Sequence, residues 1–365
     1  MSVKVCLLTT VHPSFDVRIF YKEAKTLVQV GYDVTLIAQH DKNEIVNGVK
    51  IIALPEARNR FERIFGLTVR ALYLALKQRA YIYHFHDPEL IVAGIILKLF
   101  RKKVIYDVHE DVSKQILNKD WIGNKHIREF IAFMFELIEK IGAFMFDIIL
   151  TATSDIAKKF PKNRTIILRN FPILKLIDNT APTNYKKNKP VTIYAGGLTK
   201  IRGIKEIVQA MEYIDDRAEL WLLGKWESEK YKKECEYLEG WKYTKYLGLV
   251  SLREVYQYMK VADIGISMLF PIKNYLTSLP IKVFEYMACS LPVVMSGFPY
   301  WKKMFGECAL FVNPCDPKDI AEKILYLLDN PKEAKELGKR GRKLIEEKYS
   351  WGAESEKLLE MYKNL

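Results

Sequence analysis

The order of the apolar runs constrains this chain more than any other feature. Near-continuous apolar strands alternate with segments of helical period along almost the whole length. Residues 3–9, 34–38, 50–54, 81–86, 104–109, 148–153 and 165–169 are predicted strands. A second series covers 191–196, 219–224, 244–250, 263–269, 292–296 and 309–312. Strands this continuously apolar are buried on both faces, which calls for parallel sheets between helical layers. Residues 171–190, with three prolines and no sustained period, are predicted to be an interdomain linker. Helices predicted at 331–348 and 351–364 have no strand after them. The class is α/β: two doubly wound domains in tandem, facing across a cleft.

Composition sets limits on partners and compartment. The 365 residues carry a formal net charge of +13, which favours anionic partners without choosing among them. The five cysteines (Cys6, Cys235, Cys289, Cys308 and Cys315) are widely spaced, which argues against a disulfide scaffold or zinc site and for a reducing compartment. The N-terminus enters a strand directly, without the pattern of a signal peptide, and no stretch has the roughly 18 uncharged apolar residues of a membrane span. The expected location is cytoplasmic, at most peripheral on the inner face of the plasma membrane. The Phe130–Leu150 run, rich in Phe and Met, is expected to be a buried helix and strand, with an acyl-chain groove as the alternative. Segment 57–80 mixes Arg58, Arg60, Arg63, Arg70, Lys77 and Arg79 with Phe61, Ile64, Phe65, Leu67 and Leu72. It suits either an anionic lipid surface or a sheet-covering helix with a charged outer face. No basic-aromatic pattern of a nucleic-acid-binding sheet occurs, so no nucleic acid partner is expected.

Loops that follow strands are where ligands of such sheets bind. After the 191–196 strand come Gly196 and Gly197, then Arg202 and Gly203 at a helix start. Glycines admit close backbone approach, free N–H groups meet an anion, and Arg202 adds a fixed charge. A plain strand-to-helix turn with a solvated arginine fits the same letters. The second candidate is Thr277-Ser278-Leu279-Pro280-Ile281-Lys282, leading to Glu285. Ser278 or Thr277 is expected to cap this helix, with Pro280 in its first turn. Glu285 suits a ribose, or else faces solvent. Two helix starts and two cations fit a diphosphate better than a single phosphate. Toward the N-terminus, His12, Asp16 and Arg18 follow the first strand. Asp16 and Arg18 either face the acceptor or pair locally, and Asp87, beside His86 and Glu89, either acts directly or caps a helix.

These segments together resemble glycosyltransferase family 4, the group 1 retaining glycosyltransferases of GT-B fold. YAGGLTKIRGI, LLG ending at Gly224, YLGLVS, ADIGISML, LPIKVFEYMACSLPVVMS and the closing NPCDPKDIAEKILYLL…YSW carry the likeness in the second half. VHPSFDVRIFYKEAKTLVQVGYDVTLIA, HFHDPEL and VIYDVHED carry it in the first. The resemblance implies a Rossmann-like acceptor-side domain over 1–172, joined by the returning C-terminal helix 351–365. It implies a nucleotide-sugar-binding Rossmann-like domain over 190–348. Arg202 and Lys282 would neutralise the donor diphosphate, with the 278–282 amides, Gly196, Gly197, Gly224, Thr277, Ser278 and Leu279 around the donor. Glu285 would hold the ribose, Leu249 and Val250 would line the base, and His109 would stand beside the sugar. His12, Asp16, Arg18, His86 and Asp87 form the acceptor side. The family often places a glutamate where this chain has Thr277 and an arginine where it has Gly197; a subgroup with LPxK before FEYMA shares both departures.

The implied activity is metal-independent, retaining hexosyl transfer from a nucleotide-diphosphate sugar, UDP-linked first and GDP-linked next. The acceptor would be a glycan or polyprenyl-linked molecule of cell-envelope polysaccharide or glycoconjugate synthesis. No metal and no further cofactor is expected, because no Asp-x-Asp pair follows a strand. A nucleotide-sugar epimerase on the same fold, or an inactive GT-B scaffold, are the alternatives.

Overall fold

The chain folds into two α/β units, the first comprising Met1–Asn170 with Glu354–Leu365 and the second Phe171–Ala353. The computed structural model describes residues 2–117, 122–272, 275, 276 and 278–365. In the first unit the strands are β1 (Lys4–Pro13), β2 (Asp33–Gln39), β3 (Glu44–Val46), β4 (Val49–Leu54), β5 (Ile82–Phe85), β6 (Lys103–Val108), β7 (Ile148–Thr151) and β8 (Thr165–Ile167). Their spatial order is β3-β4-β2-β1-β5-β6-β7-β8, and only β3 runs antiparallel to its neighbour. The chain winds outward in both directions from β1 and β5, so the first sheet's switch point lies between them. The β3 hairpin was not expected from sequence. It turns through Asn47 (φ 52°) and Gly48 (φ 83°), both left-handed.

The second unit holds β9 (Val191–Ala195), β10 (Glu219–Leu223), β11 (Thr244–Gly248), β12 (Ile264–Ser267), β13 (Val293–Ser296) and β14 (Ala309–Val312). Their order is β11-β10-β9-β12-β13-β14, all parallel, with the switch between β9 and β12. Strand alternation sends neighbours into opposite layers. Trp221, Leu223, Val293 and Met295 enter one core, and Leu220, Leu222 and Val294 enter the other. Helices therefore cover both faces, as continuous apolar strands require.

Two expectations need correcting. Residues 171–190 are no free linker, because Phe171 and Ile177 are buried in the second unit's core and Leu174–Asp178 forms a short helix. Three apolar side chains within seven residues outweigh the prolines around them. Nor is the Phe130–Leu150 run buried throughout. β7 is, but the helix Lys125–Met145 exposes Phe130, Phe133, Leu137, Ile141 and Phe144. The closing helix Trp351–Lys363 brings Leu358, Met361 and Tyr362 into the interior of the first unit.

Candidate active site

At the carboxyl ends of β9 and β12 two loops meet. Phe270 donates its N–H to the Ile201 carbonyl at 2.9 Å, joining the segment after β12 to the turn after β9. Arg202 lies over the glycine pair, since a Cβ at Gly196 or Gly197 would stand 3.2 Å from its Nη1. Any side chain there would crowd the guanidinium. Gly203 takes the left-handed conformation (φ 58°) that starts the helix Ile204–Ile214. Gly224, after β10, is fixed by contact, because a Cβ would fall 1.8 Å from the Gly196 carbonyl oxygen.

The helix Ile281–Ala288 supplies the remaining groups. Its Tyr286 hydroxyl accepts the Ala195 N–H at 2.9 Å, which pins the end of β9. Glu285, the residue before it, is buried (4 % exposed) and both its oxygens are engaged. The Tyr256 hydroxyl donates to Oε1 at 3.0 Å, and Lys282 Nζ donates to Oε2 at 2.8 Å. The solvent-facing alternative for Glu285 is thereby removed. Burial and then the Glu285 carboxylate push the Tyr256 phenol well above its usual range, so that it stays a donor. The expected cap is corrected: Pro280 precedes the helix, and Ser278 Oγ donates instead to the Tyr275 carbonyl at 2.9 Å. Trp301 Nε1 occupies the Ser278 carbonyl at 2.8 Å. Thr277 lies outside the described residues. Leu279 and Val250 pack against the core that holds Trp221 and Val293, while Leu249 is 75 % exposed after β11.

The first unit gathers a second constellation at the ends of β1, β5 and β6. His109 Nε2 lies 3.4 Å from Asp107 Oδ2 and 3.3 Å from His86 Nδ1. The His12 ring stands 5.2 Å from that of His109, and its nitrogens lie 3.6 Å from Asp16 and 3.5 Å from Asp87. Burial alone would lower the His12 pKa, but the Asp16 hydrogen bond and the charges of Asp87 and Asp16 raise it. Asp16 also caps the wide turns of Val17–Ala24, accepting from the N–H groups of Arg18 at 2.8 Å and Ile19 at 3.0 Å.

Both alternatives for the Arg18 side chain fail. It is 3 % exposed and forks onto Asp107, with Nε to Oδ2 at 2.7 Å and Nη2 to Oδ1 at 3.0 Å. Its Nη1 reaches the Leu168 carbonyl at 2.9 Å, so it holds the interior and cannot face an acceptor. Asp87, buried, caps nothing; its Oδ2 takes the Thr9 hydroxyl at 2.8 Å and the Val11 N–H at 3.1 Å. His86 is likewise buried beneath His109.

Three members of this network escaped the sequence reading: Glu23, His84 and Asp107. Glu23 Oε1 is 3.1 Å from Arg18 Nε, and its Oε2 is 3.5 Å from His86 Nε2 and 3.8 Å from His84 Nε2. The Tyr362 hydroxyl meets His84 Nδ1 at 2.9 Å. Glu23, His84, His86 and Asp107 each bring a ligand-type atom within 4.8 Å of the others. Arg18 already supplies the positive charge between the two carboxylates. Burial, then the nearby Asp107 charge, raises Glu23 well above the carboxylate range. Asp107 is held well below it: burial opposes this, but Arg18 and His109 prevail. Burial keeps His84 and His86 neutral. Within this cluster of four, the ionised form is favoured at Asp107, which pairs with Arg18.

Residues 178–344, which contain both loops at the β9/β12 switch point, match the family described as "Glycosyl transferases group 1", a match to a little under half of the chain. An uncharacterized glycosyltransferase of Methanocaldococcus jannaschii is 25% identical over 194 residues, 52% of this chain and 51% of that protein. The chain spans at most about half the length of the curated relatives it matches. Sucrose-phosphate synthase from Thermosynechococcus elongatus superposes with a TM-score of 0.74 at 18% identity, covering 99% of this chain and 98% of that one. HepE of Anabaena, solved in complex with UDP-glucose, superposes with a TM-score of 0.71 at 11% identity, covering 99% and 100%. The chain thus has GT-B architecture, built from two Rossmann-like domains with parallel sheets.

Proposed function

We propose that this glycosyltransferase moves a hexosyl group, with retention and without a metal ion, from a nucleotide-diphosphate sugar to a glycan or polyprenyl-linked acceptor. A role in building cell-envelope polysaccharide or glycoconjugates follows from that acceptor class. One observation carries the reading: Arg202 and the Lys282–Glu285 pair stand on the two elements that meet at the β9/β12 switch point. A diphosphate arriving there attracts Lys282 away from Glu285, and the freed carboxylate oxygen can accept a ribose hydroxyl. One ion pair is exchanged for two interactions with donor, which couples phosphate binding to nucleoside binding. As the glycosidic bond breaks, negative charge gathers on the β-phosphate, and preoriented N–H groups with Arg202 and Lys282 stabilise it. The phosphate itself can take the acceptor proton on the face it leaves, so no protein nucleophile is called for. In the first unit, His109 is assigned to the sugar, with His12 and Asp16 to the acceptor. UDP is the preferred base carrier, in keeping with the UDP-glucose bound by HepE, and GDP comes next.

Thermal shift with UDP, GDP, dTDP and ADP, each with and without magnesium, tests the donor site. A ligand at about 100 times its Kd adds roughly 2.7 kcal/mol. One nucleoside diphosphate is expected to stabilise the protein equally after EDTA treatment. Stabilisation only with added metal would reject metal independence. No stabilisation by any of the four would reject the donor site.

A further inference from the structure

The helix Lys125–Met145 carries two stripes of side chains on opposite sides. Its inner stripe, Ala132, Phe135, Glu139, Gly142 and Ala143, meets its own unit. There Ala143 enters the core, Phe135 packs against it, and the Tyr106 hydroxyl donates to Glu139 at 3.2 Å. The outer stripe is Ile127, Phe130, Met134, Leu137, Ile141 and Phe144, each 38–77 % exposed. A surface helix of a globular domain keeps its outer face polar. The steps along the outer stripe are three, four, three, four and three residues. That is the heptad spacing by which one helix packs lengthwise along another. The first unit makes no use of it, because its own contacts lie on the inner stripe.

Charge and size indicate what covers the seam. The helix holds three acids, Glu129, Glu136 and Glu139, and three bases, Lys125, Arg128 and Lys140. Lys125 lies 3.8 Å from Glu129 and Lys140 lies 3.2 Å from Glu136. A helix so balanced meets a like helix without net repulsion. Beside the seam, Ile131, Phe133 and Ile138 widen the apolar face and are also 38–77 % exposed. These nine side chains offer on the order of 900 Å², where a specific interface takes about 800 Å² per partner.

The order of the steps reads the same in both directions. With a two-fold axis between Met134 and Leu137, an antiparallel second copy sets Ile127 against Phe144, Phe130 against Ile141 and Met134 against Leu137. Symmetry makes each contact twice. Every aromatic ring then faces an isoleucine, and the layers have similar thickness. A parallel copy would stack Phe on Phe and Ile on Ile, in thick and thin layers that cannot all close-pack at one interhelical distance. We propose that this chain pairs with a second copy of itself through an antiparallel seam of the two Lys125–Met145 helices. Lys140 lays its stem along Phe133 of the second copy while its ammonium group stays with Glu136. Such pairing is independent of the transfer reaction, because its test reads mass alone.

The full chain is sedimented at micromolar concentration, and wild type is expected as a dimer. Met134→Glu and Leu137→Lys each set a charge against an apolar side chain twice in the pair. Each variant alone is expected to dimerise at least about thirtyfold more weakly, with an unchanged circular dichroism spectrum because both positions are exposed. Mixed in equal amounts, the two variants are expected to form a dimer again. One layer then joins the new carboxylate to the new ammonium group, and the other keeps Leu137 against Met134. Parallel helices would bring neither pair together. A monomeric wild type overturns the pairing, and one that binds phosphatidylcholine vesicles instead gives the face to lipid. Either variant remaining dimeric alone, or the mixture remaining monomeric, overturns it equally.

Discussion

Arg18 is the side chain on which the polar interior of the first unit depends. Its guanidinium donates two N–H groups to Asp107, while Glu23, 3.1 Å from Nε, has its pKa raised by burial and by the Asp107 charge. Asp107→Asn would remove that fork, and breaking a buried pair costs about 3–5 kcal/mol. Urea unfolding should register that loss, while a cost below about 1 kcal/mol would show that water reaches Arg18. Glu285 allows a sharper comparison. Removing a hydrogen-bonded charge costs about 1.5–3 kcal/mol, or roughly 10- to 100-fold in affinity. Calorimetry with the nucleoside diphosphate should find that loss in Glu285→Ala. Tyr256→Phe, which keeps the carboxylate, should lose less than about tenfold, and equal losses would remove Glu285 from the ribose. Some of this was legible beforehand. Gly196 and Arg202 lie in a strand-to-helix turn, and Lys282 and Glu285 on the helix Ile281–Ala288, contexts that are local in sequence. Arg18 and Asp107 are 89 positions apart, and only the pairing of β1, β5 and β6 brings them together. A carboxylate inside VIYDV was the available signal: a charge in an apolar strand needs a buried partner.

At the scale of elements, periodicity reveals that a helix has an apolar face but not which face meets the protein. That is why the parallel strands of both sheets are legible in the sequence while the exposed aromatic face of Lys125–Met145 is not. The Asn47-Gly48 hairpin carried a readable turn pair, obscured because β3 is only three residues long. Glycines give the element-scale prediction. Gly203 needs its left-handed φ, so Gly203→Ala should cost about 1 kcal/mol and Gly203→Asn less. Gly224 is limited by contact, and Gly224→Ala must push the Gly196 carbonyl aside. Its cost should exceed that of Gly203→Ala and be accompanied by weaker nucleotide binding, since β9 ends there. Thermal unfolding and titration of both variants decide the order, and equal costs would mean that the loop yields freely.

For the whole molecule, the buried network implies a stability optimum set by opposing titrations. His84 and His86 have pKa values pushed below the ordinary imidazole value of about 6.5, chiefly by burial. The unfolded chain therefore binds protons first, and stability falls as pH drops below about 6.5. Glu23 acts in the other direction. Its pKa is raised in the fold, so its contribution is complete below the ordinary glutamate value of about 4.3 and is lost as pH rises through the folded value. Between about 4.3 and 6.5 two histidines oppose one glutamate, and the net slope favours higher pH. Above about 6.5 the histidines are neutral in both states, and His12, whose raised pKa has the same sign as that of Glu23, lowers stability as pH climbs toward its folded value. Glu23→Gln removes the glutamate contribution while keeping a neutral side chain of the same shape. Urea unfolding from about pH 4.3 upward should therefore find wild type losing stability relative to Glu23→Gln until the folded pKa is passed, by up to about 1.4 kcal/mol per pH unit for one proton. Parallel curves would mean that Glu23 is ionised in the fold. Arg18 would then be shared between two charged carboxylates, and Asp107→Asn would cost correspondingly less.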